Sequence, residues 1–388
     1  MKKVVLAYSG GLDTSCCIPW LKNRGLEVIC FSANLGSEFS PQDLRKRALA
    51  SGASKIYIKD LRKEFAHDYI LPALKASACY EGKYLLSTAL GRPLIAKYLV
   101  DVAAKEGASF VAHGCTAKGN DQVRFEVSIK ILGPKLKVIA PLREWELKSR
   151  SDEIAYAKKH KIPIKTTKEK PYSIDKNIWG ISIEGGVLED LQGIIPDNSY
   201  VSIKPPHKAR SKEVTVTIKF LKGVPVGLNG KRLGFVELIE RLNTIGASCG
   251  IGRTDLVEDR LVGIKSREVY EAPAAWILYT AHRELESLTL DRETIFFKEI
   301  VALKYAQTVY QGLWFSSLKK ALDAFVEESQ RTVTGEVTLG LFKGNIIVKK
   351  RKSLVSLYKK ELATYGKEDK FERSLAEGFI RLFGLPYK

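Results

Sequence analysis

From Lys2 to about Pro163, short apolar runs alternate with stretches of helical period. Residues 4–8, 27–32, 55–58, 109–112 and 137–139 read as strands, with helical patterns between them. This βαβ rhythm predicts an α/β fold with a doubly wound parallel sheet, whose ligands sit at the carboxyl ends of the strands. Pro19 falls inside the first helical stretch, where it removes a hydrogen bond and is expected to kink or shorten the helix.

Beyond about Thr166 the rhythm changes. Residues 214–220 alternate like a half-exposed strand and return through Lys222-Gly223 to 224–226; residues 336–341 and 346–348, joined by Lys343-Gly344-Asn345, repeat the pattern. These two hairpins bracket a helical middle, 274–329, so the second part reads as α+β. Near the end, Phe371, Leu375, Phe379, Ile380 and Phe383 fall at near-helical spacing, a stripe that needs either the chain's own core or a neighbouring subunit. The expected division is 1–165, 166–365 and a C-terminal helix within 366–388.

The chemistry concentrates in the loops that this reading places at strand ends. Ala7-Tyr8-Ser9-Gly10-Gly11-Leu12-Asp13-Thr14-Ser15 links the first strand to a helix, and its glycines, hydroxyls and first-turn N–H groups suit a phosphate. Neither G-x-x-x-x-G-K-[ST] nor G-x-G-x-x-G is present there. Ala33 follows the second strand. The segment from His113 to Glu126 packs hydroxyl, amide, carboxylate and guanidinium groups into one glycine-flexed loop, suited to the ammonium and carboxylate of an amino acid. His113 itself reads as structural.

Lys and Arg number 63 against 44 Asp and Glu, a formal net charge of +19. Such a field attracts nucleic acid, but equally ATP, pyrophosphate and dicarboxylates. The six cysteines form no C-x-x-C pair, so neither structural zinc nor disulfide stapling is expected. No apolar stretch approaches a membrane span, and Met1-Lys2-Lys3 runs directly into the first strand, so a cytoplasmic location is expected.

The loop Ser9 to Ser15 resembles the S-G-G-x-D-[ST]-S signature of the ATP pyrophosphatase superfamily, whose members cut ATP between the α and β phosphates. Three further segments choose within it: His113 to Glu126, Pro171 to Gly186 (PYSIDKNIWGISIEGG) and VGIKSREVYEAP from Val262. Together they resemble the argininosuccinate synthase family, in order and over essentially the whole chain. The resemblance implies joining of L-citrulline to L-aspartate with ATP converted to AMP and pyrophosphate, Mg2+ as companion ion, and a homotetramer, with no membrane or specific nucleic-acid partner.

It also implies site roles. Ala7, Tyr8, Ser9, Gly10, Gly11, Leu12, Asp13, Thr14 and Ser15, with Ala33 and Gly114, would hold ATP, and Asp13 would organise Mg2+ indirectly, no residue being a direct metal ligand. Tyr84, Ala89, Asn120, Arg124, Ser173, Ser182, Glu258 and Tyr270 would hold citrulline. Thr116, Asn120, Asp121 and Arg92 would hold aspartate. No side chain is assigned as acid or base. Ala89 offers only backbone; Ala117 stands where glycine is usual, Cys249 where histidine is, and Thr254 and Asp259 flank Glu258 where the family has an apolar residue and asparagine. The rival readings, a tRNA-modifying adenylating enzyme or a non-catalytic RNA-binding relative, lack a thiol relay or an RNA-binding appendage in this sequence.

Overall fold

Strands β1 (Lys2–Ala7), β2 (Leu26–Asn34), β3 (Lys55–Asp60), β4 (Phe110–Ala112) and β5 (Lys137–Ile139) form a sheet in the order β3-β2-β1-β4-β5. Every neighbouring pair is parallel. The computed structural model describes residues 1–37, 40–163 and 172–387; the expected boundary at 165/166, and Lys170-Pro171, lie outside them. Val4, Val5 and Leu6 of β1 are fully buried, as befits a central strand with both faces covered. After β3 the chain crosses to the other side of β1, so the order reverses between β1 and β4. A crevice opens at such a reversal, outside the carboxyl ends of the strands.

The first helix, Leu12–Lys22, contains Pro19 and runs through it. It ends within one turn, where the Asn23 N–H donates to the Pro19 carbonyl at 2.9 Å; the expected disturbance is thus at most an early stop. The helix Ser87–Glu106 starts from Leu86 in the left-handed region and lacks a Ser, Thr or Asp cap. Tyr84 takes that part: its Oη accepts from the N–H groups of Thr88 and Ala89 at 3.0 and 3.2 Å.

The remaining strands are β6 (Ser173–Asn177), β7 (Gly180–Glu184), β8 (Val214–Leu221), β9 (Val224–Leu228), β10 (Lys231–Arg232), β11 (Arg253–Asp259), β12 (Lys265–Glu271), β13 (Gly335–Phe342) and β14 (Asn345–Lys352). They build two sheets, β11-β12-β7-β6 and β10-β9-β8-β13-β14, antiparallel throughout. The two predicted hairpins are β8/β9 and β13/β14, and the β8–β13 pairing makes them neighbours in one sheet. The helical middle between them is Pro273–Thr289, Arg292–Tyr310 and Ser317–Ser329.

The two parts share one apolar core, in which Val5, Phe31 and Leu90 join the same contiguous cluster as Ile218, Leu278 and Leu341. They also meet main chain to main chain. The Ile178 N–H, in the turn between β6 and β7, donates to the Leu35 carbonyl at 2.8 Å. Gly36 has φ +105°, and a Cβ there would lie 2.9 Å from the Ile178 nitrogen, so this approach requires glycine.

No residue of the C-terminal helix, Ser374–Gly384, is buried against the described residues. Its stripe, from Phe371 to Phe383, is 51–65% exposed at each of the five predicted positions, which excludes the chain's own core as its partner. No described helix is long and apolar enough to cross a membrane.

Candidate active site

The loops after β1, β2 and β4 open onto a single cleft of about 510 Å³, closed on its far side by β6, β7, β11 and β12. At the sheet end, Gly10 has φ +77° and its carbonyl accepts from Arg47 Nη1 at 2.8 Å, tying the loop after β1 to the helix Pro41–Ala50 that follows β2. Ser9 Oγ lies 3.0 Å from Thr14 Oγ1 and accepts from the Gly11 N–H at 3.3 Å. The helix Leu12–Lys22 has no side-chain cap at its N-terminus, which leaves first-turn N–H groups for an anion. The loop after β4 closes against this one: a Cβ on Gly114 would come within 2.9 Å of Thr14 Cγ2.

Asp13 has a second carboxyl group beside it. Burial, and then the charge of Asp13 and a hydrogen bond to it, push the Glu153 carboxyl up to about 8. Among the described residues no group of three or more His, Cys, Asp or Glu side chains could hold a metal ion.

The other end of the cleft is built for charged amino-acid groups. Asp121, at the start of the helix Asp121–Leu132, accepts from Arg92 Nε at 2.8 Å and from Arg124 Nη1 at 2.9 Å. Burial alone would raise its pKa, but the two guanidinium groups outweigh that and hold it below the usual carboxylate range. Arg92 also pairs with Asp175 of β6. Arg124 Nε donates to the Tyr310 carbonyl at 2.9 Å, while its Nη2 is buried with no partner among the described residues. An orphaned guanidinium nitrogen on a cleft wall fits an incoming carboxylate.

Pairing in the four-stranded sheet sets Tyr270 opposite Ser182 and Ser182 opposite Asp175. Ser182 Oγ is 2.9 Å from Thr88 Oγ1 on the Ser87–Glu106 helix. Glu258 is 1% exposed and accepts from two phenols, Tyr270 Oη at 2.5 Å and Tyr310 Oη at 2.7 Å. The Tyr84 ring stacks on Tyr270, centroids 4.2 Å apart. Arg260 is shared between Glu184 and Glu268, and Arg253 pairs with Asp197, so neither arginine takes Glu258. Burial and the charge of Glu258 push Glu268 up to about 7. Two carboxyl groups on Arg260 and a third, Glu258, beside Glu268 make this corner a place for an ammonium.

Residues 3–163 match the model of the arginosuccinate synthase N-terminal HUP domain, and residues 172–388 match that of the arginosuccinate synthase C-terminal domain. The chain belongs to the argininosuccinate synthase family. Curated relatives named argininosuccinate synthase cover it from end to end. That of Caldanaerobacter subterraneus is 59% identical over 388 residues, 100% of this chain and 95% of the relative. That of Pelotomaculum thermopropionicum is 57% identical over 389 residues, 100% of this chain and 97% of the relative. That of Carboxydothermus hydrogenoformans is 56% identical over 388 residues, with the same two shares. An RNA-directed reading is not favoured beside these matches.

Most residues expected from the argininosuccinate synthase resemblance converge. Ala7, Tyr8, Ser9, Asp13, Thr14, Ala33 and Gly114 line the sheet end of the cleft. Tyr84, Asn120, Arg124, Ser173, Ser182, Glu258 and Tyr270, with Thr116, Asp121 and Arg92, line the other. Gly10, Gly11, Leu12, Ser15 and Ala89 do not reach its wall; the first four shape the loop and helix start that do. The departures at Ala117, Cys249, Thr254 and Asp259 lie off the wall as well. Thr88, Asp175, Glu184, Arg260 and Glu268 line the cleft without having been singled out as site residues. Strand alternation was the available signal: Glu258 and Arg260, like Glu268 and Tyr270, are two residues apart.

Proposed function

We propose that this cleft joins L-citrulline to L-aspartate at the expense of ATP, as an argininosuccinate synthase, a ligase of arginine biosynthesis that forms a C–N bond. The observation that carries this reading is the joining, in one cavity, of an uncapped helix N-terminus and glycine loop with an arginine- and glutamate-lined end. ATP lies with its phosphates on the loop after β1, beside Ala33 and Gly114. Citrulline places its carboxylate on the free nitrogen of Arg124 and its ammonium at Glu258, between the stacked Tyr84 and Tyr270 and the hydroxyls of Ser173 and Ser182. Aspartate takes Thr116, Asn120 and Asp121, with Arg92 facing a carboxylate.

The reaction runs in two displacements. Citrulline's ureido oxygen attacks the α-phosphorus and pyrophosphate leaves, which converts a poor electrophile into a citrulline adenylate. Aspartate's ammonium sheds a proton and its amine attacks the ureido carbon; AMP departs with the former ureido oxygen, and the product keeps a guanidinium. Positioning and charge stabilisation supply the rate, since no side chain is assigned as acid or base.

Asp13 beside Glu153 fits Mg2+ only as an ion held mostly by phosphate oxygens and water, and such an ion would neutralise the departing pyrophosphate. A cytoplasmic homotetramer completes the reading, with the unpartnered C-terminal helix reaching over a neighbouring copy.

The test is pyrophosphate release from MgATP with citrulline and aspartate added separately and together, followed by mass analysis. Release that requires citrulline, with argininosuccinate formed only when aspartate is present, is expected. Release independent of both amino acids would sink the reading.

A further inference from the structure

Tyr310 ends the helix Arg292–Tyr310 and does not line the cleft, yet it contacts four side chains that do. Its Oη accepts from Asn120 Nδ2 at 2.7 Å and donates to Glu258 Oε1 at 2.7 Å. Its carbonyl accepts from Arg124 Nε at 2.9 Å, and the guanidinium carbon of Arg124 stands 4.8 Å from its ring centroid. The ring meets Tyr84 edge-on at 6.3 Å and stacks on Tyr80 at 3.6 Å. The residue is 1% exposed, and the chain then turns at Gly312, where φ is +74° and a Cβ would lie 2.6 Å from the Arg124 Cα.

We infer that Tyr310 is the positioning residue that holds the two amino-acid half-sites of the cleft in register. This rests on the substrate assignment above. The hydrogen-bond directions carry it. A phenol has one proton; donated to Glu258, it leaves the oxygen free to accept, and Asn120 supplies the donor. Asn120 Oδ1 is meanwhile taken by the Leu261 N–H at 2.8 Å, so both ends of the amide are fixed and its orientation is determined. The groups so fixed serve both substrates: Glu258 and Arg124 face citrulline, Asn120 faces both amino acids, and Arg124 orients Asp121 on the aspartate side. Nothing in this arrangement touches the phosphate loop.

The substitution Tyr310→Phe removes one oxygen and keeps the stacked ring. The KM values for citrulline and for aspartate should each rise about tenfold or more, because a buried hydrogen bond to a charged group is lost and the Asn120 amide loses its acceptor. The KM for MgATP should stay within about twofold, and the thermal midpoint should remain close to wild type, since the ring packing persists.

A double-mutant cycle with Glu258→Gln separates positioning from packing: the two changes should be strongly non-additive in citrulline KM. Tyr310→Phe with wild-type KM values, or with citrulline, aspartate and ATP weakened alike, would overturn the inference while leaving the ligase reading intact. Wild-type protein without citrulline-dependent pyrophosphate release would overturn the ligase reading, and this inference with it.

Discussion

Arg124 Nη1 donates to Asp121 Oδ1 at 2.9 Å, and the adjacent Nη2 is buried without a partner among the described residues. The guanidinium is thus held by a carboxylate on one branch and open on the other. Arg124→Lys keeps the charge and loses the fork, so one of the two contacts must go. Citrulline KM should rise by about tenfold to a hundredfold, with MgATP affinity little changed. Equal losses for citrulline and ATP in steady-state kinetics would contradict the placement of the citrulline carboxylate here.

Gly114→Ala should act at the opposite end. The added methyl meets Thr14 Cγ2, and the loops after β1 and β4 must part. Overpacking of this kind typically costs about 1–3 kcal/mol. ATP KM should rise about tenfold while citrulline binding is kept, and Thr14→Ser in the same chain, which deletes the clashing methyl, should restore most of the loss. A double variant no better than Gly114→Ala alone would place the defect elsewhere.

The pH dependence of citrulline use should be set partly by Glu268. The single hydroxyl proton of Tyr270 faces two carboxyl groups, Glu258 at 2.5 Å and Glu268 at 2.9 Å, and cannot serve both fully at once. Glu258, Glu184, Arg260 and Tyr270 are the groups that face it. As pH rises through about 7, Glu268 ionises and the corner attracts an ammonium more strongly. Citrulline KM should therefore fall between about pH 6 and pH 8, and Glu268→Gln should flatten that profile. Stability runs the other way. The folded pKa lies above the unfolded value of about 4.3, so this group's contribution is full below that pH and is lost as pH rises through about 7. Melting curves of the wild type and Glu268→Gln should differ in slope over that interval.

Removal of residues 374–388 should change assembly and leave each cleft's residues in place. Light scattering is expected to give about four times the 43.3 kDa chain mass for the full protein and a smaller mass after truncation. A full-length monomer would refute the assembly.

The parallel sheet was legible because strands buried on both faces read as short apolar runs, as Val4-Val5-Leu6 does, and because βα loops carry their ligands' chemistry in contiguous residues. The hairpins β8/β9 and β13/β14 were legible from alternation and a Lys-Gly turn. The sheet β11-β12-β7-β6 was not. Its strands carry Ser173, Asp175, Ser182, Glu184, Glu258, Glu268 and Tyr270, polar residues whose place on a cleft wall breaks the apolar alternation by which a half-buried strand is read. Tyr310 was hidden for another reason. It acts from behind the wall, through hydrogen bonds to residues 52 and 190 positions away, and pairings so distant leave no local pattern.

The shared apolar core has a thermodynamic consequence. The two regions are matched by separate domain models, yet Val5 and Phe31 of one lie in the same cluster as Ile218 and Leu341 of the other. A cavity opened under β8 would therefore reach the face of the parallel sheet that Val5 and Phe31 form, and the halves should melt in a single cooperative transition.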